Sequence, residues 1–198
     1  MTGPDNPKPV TFANVTKRLQ TLHHDDGLVV YADGACEPNP GAGGWGFVAY
    51  HDGVEVHCES GGEADTTNQR MELTAALQAL LWLSANQSAA PVARLFSDSK
   101  YTVDGCNDWR HSWKAKGWKR GGPNAGPQKA AIANLDLWKA LDLALTTTPI
   151  TLEWVRGHSG VIGNERADEL SLLGRADALP PAMPTSLDMI RQQLRYEV

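Results

Sequence analysis

From Leu28 to Asp33 the chain is apolar and β-branched up to Gly34, the pattern of a buried strand. Trp45–His51 alternates, meets Asp52-Gly53 and returns through Val54–Glu59, which predicts a hairpin whose second strand ends at Gly61-Gly62. Thr66 and Gln69 stand at capping-box spacing. The following stretch to about Asn86 predicts a helix that turns Met71, Ala75, Leu77, Leu80 and Leu81 toward a core. Pro91 precedes a fourth strand, Val92–Asp98, and short helices are expected from Lys100 to about Lys116. A Gly/Pro-rich loop, Gly117–Gly126, separates these from a helix near Ala130–Leu145. A fifth strand, Ile150–Val155, leads to a last helix from Asn164 to Leu173, closed by Gly174.

Strands come first as an antiparallel meander and then alternate with helices, an order that suggests an α/β fold with a mixed sheet flanked by helices. Residues 1–26 carry Pro4, Pro7 and Pro9 without a sustained period and read as a flexible extension with a short helix near Val15–Leu22. Residues 27–175 form the folded domain, and residues 176–198, with Pro180-Pro181 and Pro184, read as a C-terminal tail with room for a final short helix. There is no internal repeat.

With 198 residues, 41% of them apolar and 21% charged, the composition is that of an ordinary globular protein. A formal net charge of −5 argues, taken alone, against an acidic partner such as nucleic acid. The average hides a basic segment. Between Trp109 and Leu135 lie Arg110, Lys114, Lys116, Lys119, Arg120 and Lys129 with no acidic residue, so this stretch carries +6 and the remainder −11. A basic patch on an acidic body is the footprint of phosphate binding. Trp109, Trp113 and Trp118 interleave with it; for Trp118, burial in a small core fits at least as well as contact with a ligand.

Cys36, Cys58 and Cys106 are odd in number and form no C-x-x-C pair, which argues against a disulfide framework or structural zinc and fits a reducing cytoplasm. Met1–Asp26 has no continuous apolar core for a secretory signal. The most apolar stretch, Thr74–Leu83, is far shorter than the roughly 20 residues of a membrane span. A monomer is the default expectation.

Four carboxylates stand where catalysis usually places them. Asp33 and Asp98 end strands, while Glu72 and Asp168 are expected in the first turns of helices, so all four could meet at one rim of the sheet. Their mutual repulsion would call for a hard divalent cation with oxygen ligands. Taken singly, each has an ordinary explanation: Glu72 and Asp168 complement a helix dipole, Asp33 forms a turn before Gly34, and Asp98 caps a helix. The case for chemistry rests on their local contexts together.

Those contexts resemble ribonuclease HI. Tyr31-Ala32-Asp33-Gly34-Ala35-Cys36 with Asn39-Pro40-Gly41 and Gly43-Gly44-Trp45-Gly46 is similar to the family's first motif, and Thr66-Thr67-Asn68-Gln69-Arg70-Met71-Glu72-Leu73 to its second. Ser97-Asp98-Ser99-Lys100-Tyr101, with Val103, resembles the third. Trp154-Val155-Arg156-Gly157-His158-Ser159-Gly160, followed by Gly163-Asn164-Glu165-Arg166-Ala167-Asp168-Glu169-Leu170, resembles the fourth. The match runs in unbroken order from about Leu28 to Leu173.

The resemblance implies a ribonuclease H-like, five-stranded mixed sheet with helices on both faces. It also implies an endonuclease that cuts the RNA strand of RNA–DNA hybrids and leaves 5′-phosphate and 3′-hydroxyl ends. Asp33, Glu72, Asp98 and Asp168 would hold two Mg2+ ions, with Mn2+ as an alternative, and His158 would assist proton transfer or product release. Asn39, Asn68 and Gln69 would read the 2′-hydroxyl or the minor groove, with Thr67 on a backbone phosphate; Gln69 stands where relatives often have asparagine. Trp109, Trp113, Lys114, Lys116 and Lys119 would belong to a basic protrusion against the DNA strand. The alternative is a hybrid-binding module that no longer cleaves; its mark would be a lost carboxylate, and all four are present. A transposase-like or exonuclease chemistry on the same fold is disfavoured by the Gly157–Gly160 loop and the basic segment.

Overall fold

The computed structural model describes residues 27–86, 93–121 and 126–180. The expectations for residues 1–26, for the start of the fourth strand, for part of the Gly/Pro-rich loop and for the tail beyond 180 lie outside the described residues. The elements are β1 (Leu28–Cys36), β2 (Gly41–His51), β3 (Val54–Thr66), α1 (Asn68–Asn86), β4 (Arg94–Ser97), α2 (Lys100–Asp104), a π-helical turn (Gly105–Trp109), α3 (Arg110–Ala115), α4 (Pro127–Ala130), α5 (Leu135–Thr147), β5 (Leu152–Trp154) and α6 (Ile162–Ala178).

The five strands form one mixed sheet in the order β3-β2-β1-β4-β5. β1 runs antiparallel to β2 and parallel to β4, and β4 runs parallel to β5. Central position and apolar sequence agree, since β1 is buried on both faces. Its alternate residues divide between two cores. Leu28, Val30 and Ala32 join Phe47, Ala49 and the inner sides of α1 and α5, whereas Val29 and Tyr31 join Val48 with Ala167 and Leu170 of α6. Helices therefore cover both faces.

Three expected ends are corrected, all at glycines. β1 passes Gly34 to reach Cys36, β3 passes Gly61-Gly62 to reach Thr66, and α6 passes Gly174 to reach Ala178. These glycines are not stops but points of close approach. A Cβ at Gly44 would overlap the backbone of Ser171 and Arg175, and one at Gly174 would overlap Gly61. The missing side chains let α6 lie directly on β2 and β3.

Three further details shift. The cap of α1 is Thr67, whose Oγ1 accepts from the Arg70 N–H at 3.3 Å, while Thr66 belongs to β3. Leu81 is half exposed, because the apolar arc of α1 runs through Met71, Ala75, Ala76, Ala79, Leu80 and Leu83. The helix expected near Ala130–Leu145 begins at Leu135, after a separate short turn over Pro127–Ala130.

Candidate active site

The local structure removes each ordinary explanation for the four carboxylates. Asp33 lies within β1, not in a turn, and its Oδ1 accepts the Gly34 N–H at 2.7 Å. Ser99, not Asp98, caps α2, its Oγ accepting the Thr102 N–H at 3.3 Å. Glu72 and Asp168 both sit beyond the first turn of their helices, a correction to the expectation above, so the dipole at the helix start does not account for them.

The chain brings these carboxylates to one rim of the sheet. Asp33, Glu72 and Asp98 each offer an oxygen within 4.8 Å of the others. They line a cavity of about 350 Å³ together with Asp168 and His158. Asp33 and Glu72 are buried and Asp98 half-buried. His158 stands on the loop between β5 and α6, largely exposed, with Nδ1 3.9 Å from Asp168 Oδ2. Its backbone is left-handed at φ 49°. Gly157 presses that loop against Asp98, where a Cβ would overlap the carboxylate.

Burial and crowding act together on these groups. Burial first, then the charges of Asp98 and Asp168, push the Asp33 carboxyl up to about 8 against the opposing Gly34 N–H. Burial, then Asp33 and Asp98, also hold Glu72 well above the usual carboxylate range, opposed by Asn68. Glu72 Oε1 accepts from Asn68 Nδ2 at 3.3 Å, but Oε2 is buried with no hydrogen-bond partner. A buried acceptor left without a donor is costly, and a cation would satisfy it. An all-oxygen donor set with no thiolate or imidazole between the three clustered carboxylates suits a hard metal.

The comparisons with known proteins agree with this geometry. The RNase H family model matches residues 25–175. The chain belongs to the RNase H family. It is 45% identical over 150 residues to ribonuclease HI of Pseudomonas aeruginosa, covering 76% of this chain and 94% of that one. Among solved structures it is similar to LC9-RNase H1, a type 1 RNase H with the type 2 active-site motif, at a TM-score of 0.59 and 28% identity over 78% of this chain and 75% of that one. LC11-RNase H1, solved in complex with RNA/DNA hybrid, shares the fold at a TM-score of 0.55 and 22% identity, covering 77% and 99% of the two chains. Family membership makes the chain a ribonuclease H-type hydrolase of a metal-dependent family, with an acidic cluster able to bind metal.

The expected nucleic-acid residues of this RNase H fall into two groups. Beside the carboxylates, Asn39 Oδ1 accepts the Asn68 N–H at 3.2 Å, and Asn68 Oδ1 accepts the Cys36 N–H at 3.1 Å. Asn68 thus spends its side chain within the site, while Asn39, Thr67 and Gln69 are exposed. The second group lies at α3 and the following loop. Trp113 is wedged between Trp109 and the buried Trp138, at ring distances of 5.7 and 5.3 Å, so Trp109 is the outer ring. Trp118 is half-buried and packs against the main core, the reading left open above. Lys114 is engaged by Asp142 at 2.7 Å, and Arg110 by the same carboxylate at 2.7 Å. Lys116 and Lys119 are exposed.

Sequence reasoning assigned no role to three residues at the site. Trp154 Nε1 donates to the Asp98 carbonyl at 2.9 Å, and Asn164 Nδ2 donates to Asp98 Oδ2 at 3.3 Å. Arg175 lines the cavity from α6. Asn164 precedes Asp168 by one helical turn, a spacing that places both on one face and was legible. The expected stop at Gly174 hid Arg175.

Among the described residues no helix is long and apolar enough to cross a membrane.

Proposed function

We propose that this RNase H hydrolyses the RNA strand of RNA–DNA hybrids, with Asp33, Glu72, Asp98 and Asp168 holding two Mg2+ ions. The observation that carries the reading is the convergence of these carboxylates around the unpartnered Glu72 Oε2. Bound there, the ions would activate water and stabilise the leaving 3′ oxygen, giving 5′-phosphate and 3′-hydroxyl products, with Mn2+ able to substitute. Asn164 on α6 holds the Asp98 carboxylate and Trp154 on β5 holds the Asp98 backbone carbonyl, so that a ligand residue is kept in place before substrate arrives. His158, exposed beside Asp168, is suited to carry a proton on its imidazole during turnover.

Asn39 and Gln69 read the 2′-hydroxyl, Asn68 ties that reader to Glu72, and Thr67 meets a phosphate. Trp109 on its Trp113 support, with Lys114, Lys116 and Lys119, holds the DNA strand. A hybrid bound to the LC11 relative supports the substrate. Residues 27–175 are the catalytic domain, flanked by an N-terminal extension and a C-terminal tail, and act as a monomer. Unpaired Cys36, Cys58 and Cys106 favour the cytoplasm.

The test is cleavage of a strand-labelled hybrid with Mg2+ or EDTA, beside duplex DNA and duplex RNA. Magnesium-dependent cutting confined to RNA in the hybrid is expected. Hybrid binding without cutting, in Mg2+ or Mn2+, would overturn the reading.

A further inference from the structure

Arg175 places a permanent positive charge in the wall of a cavity that five acidic residues line. Asp33, Glu37, Glu72, Asp98 and Asp168 line the opening, and so do Leu172 and Arg175 of α6. Asp168, Leu172 and Arg175 are spaced four and three residues apart and therefore share one face of the helix. The close seating of α6 on Gly44, Gly61 and Gly62 carries that face to the site, since a Cβ at Gly44 would overlap Arg175 itself.

The partners of Arg175 are unusual for an arginine beside carboxylates. Its Nε donates to the Glu37 carbonyl at 3.0 Å, and Nη2 donates to the same oxygen. Arg70, Arg94, Arg110 and Arg166 each pair with a carboxylate. Among the described residues Arg175, like Arg120 and Arg156, has no such pair, and of these three it is the one that lines the acidic cavity. A guanidinium carries five N–H donors, so three remain after the two spent on Glu37. Glu37 holds the planar fork in one orientation, and a fork of this kind matches the oxygens of a phosphate.

We propose that Arg175 is a substrate-binding residue that takes a phosphate of the RNA strand next to the one being cut. The inference rests on the reading of this site as a hybrid-cleaving one. Glu37 presets the guanidinium, and the positive charge offsets the repulsion between an acidic rim and a polyanion. A second role, tethering the β1–β2 loop, would follow from the Glu37 contact alone, and the two make different predictions.

The experiment compares wild-type protein, Arg175→Ala and Arg175→Lys, with thermal melting to establish folding. Hybrid affinity is measured in EDTA across a salt series, and KM and kcat are measured in Mg2+. Arg175→Ala is expected to weaken binding and raise KM about five- to tenfold, with kcat within about twofold, and to lower the salt slope by about one. Arg175→Lys restores part of the loss. The deciding substrates carry one neutral methylphosphonate linkage at successive RNA positions. At one position wild type and Arg175→Ala become equal, because the charge that Arg175 meets is gone. An unchanged affinity and salt slope, or a loss of the same size on every neutralised substrate, overturns the proposal. If the wild type fails to cut hybrid, the functional reading fails instead, and the EDTA binding series still judges Arg175.

Discussion

Asp33→Asn stabilises the metal-free protein above neutral pH, although it removes a group at the centre of the site. Asp33 is buried beside Asp98 and Glu72, and its carboxyl is held at about 8 against an ordinary 3.8. Below about pH 4 folded and unfolded chains both carry the proton. As pH rises the unfolded chain loses it first, so folding stability falls until the folded group ionises near 8. At about 1.4 kcal/mol per pH unit the ceiling of this loss is about 6 kcal/mol. Water entering the open cavity and a proton shared with Glu72 reduce the effect, and about 2–3 kcal/mol is expected at pH 8.5. For a chain of this length that is roughly 5–10 °C in Tm. Thermal melts in EDTA at pH 5 and 8.5 test it. Asp33→Asn should melt above wild type at pH 8.5, the gap should shrink at pH 5, and saturating Mg2+ should raise only the wild type substantially. A variant that melts at or below wild type in EDTA at pH 8.5 refutes the electrostatic account.

Other parts of the structure give separate predictions. Gly174→Ala forces a methyl into the backbone of Gly61 and is expected to cost about 2–4 kcal/mol in urea unfolding; a cost under about 0.5 kcal/mol would contradict the close seating of α6. Asp142→Asn leaves the largely buried Arg110 and its neighbour Lys114 without their carboxylate, and a loss of about 3 kcal/mol is expected; an unchanged unfolding midpoint would show the triad to be dispensable. Neutralising Lys114, Lys116 and Lys119 together should raise KM and flatten its salt dependence with kcat little changed, whereas an unchanged slope would remove the protrusion from substrate binding.

The elements that run on hydrophobic period were legible: β1 by its unbroken apolar run, the β2–β3 hairpin by Asp52-Gly53, and α1 by its helical spacing. Glycine was the failure. Gly61, Gly62 and Gly174 have the composition of breakers, yet each answers a neighbour across space, which no local pattern contains. The four carboxylates were legible through their motif contexts rather than through position, since neither Glu72 nor Asp168 lies in the first helical turn as expected. Charge counting along the chain marked the basic segment but not Asp142, which comes from α5 to engage Arg110 and Lys114. Trp154 reached Asp98 only once β5 was paired beside β4.

The central claim is that the buried carboxylates carry the chemistry, separate from substrate binding. Single-turnover cleavage of a labelled hybrid by Asp33→Asn in Mg2+, beside its hybrid affinity in EDTA, tests this most directly. The account predicts cleavage lost by at least about a thousandfold with affinity kept within a few-fold. Cleavage near the wild-type rate would contradict it.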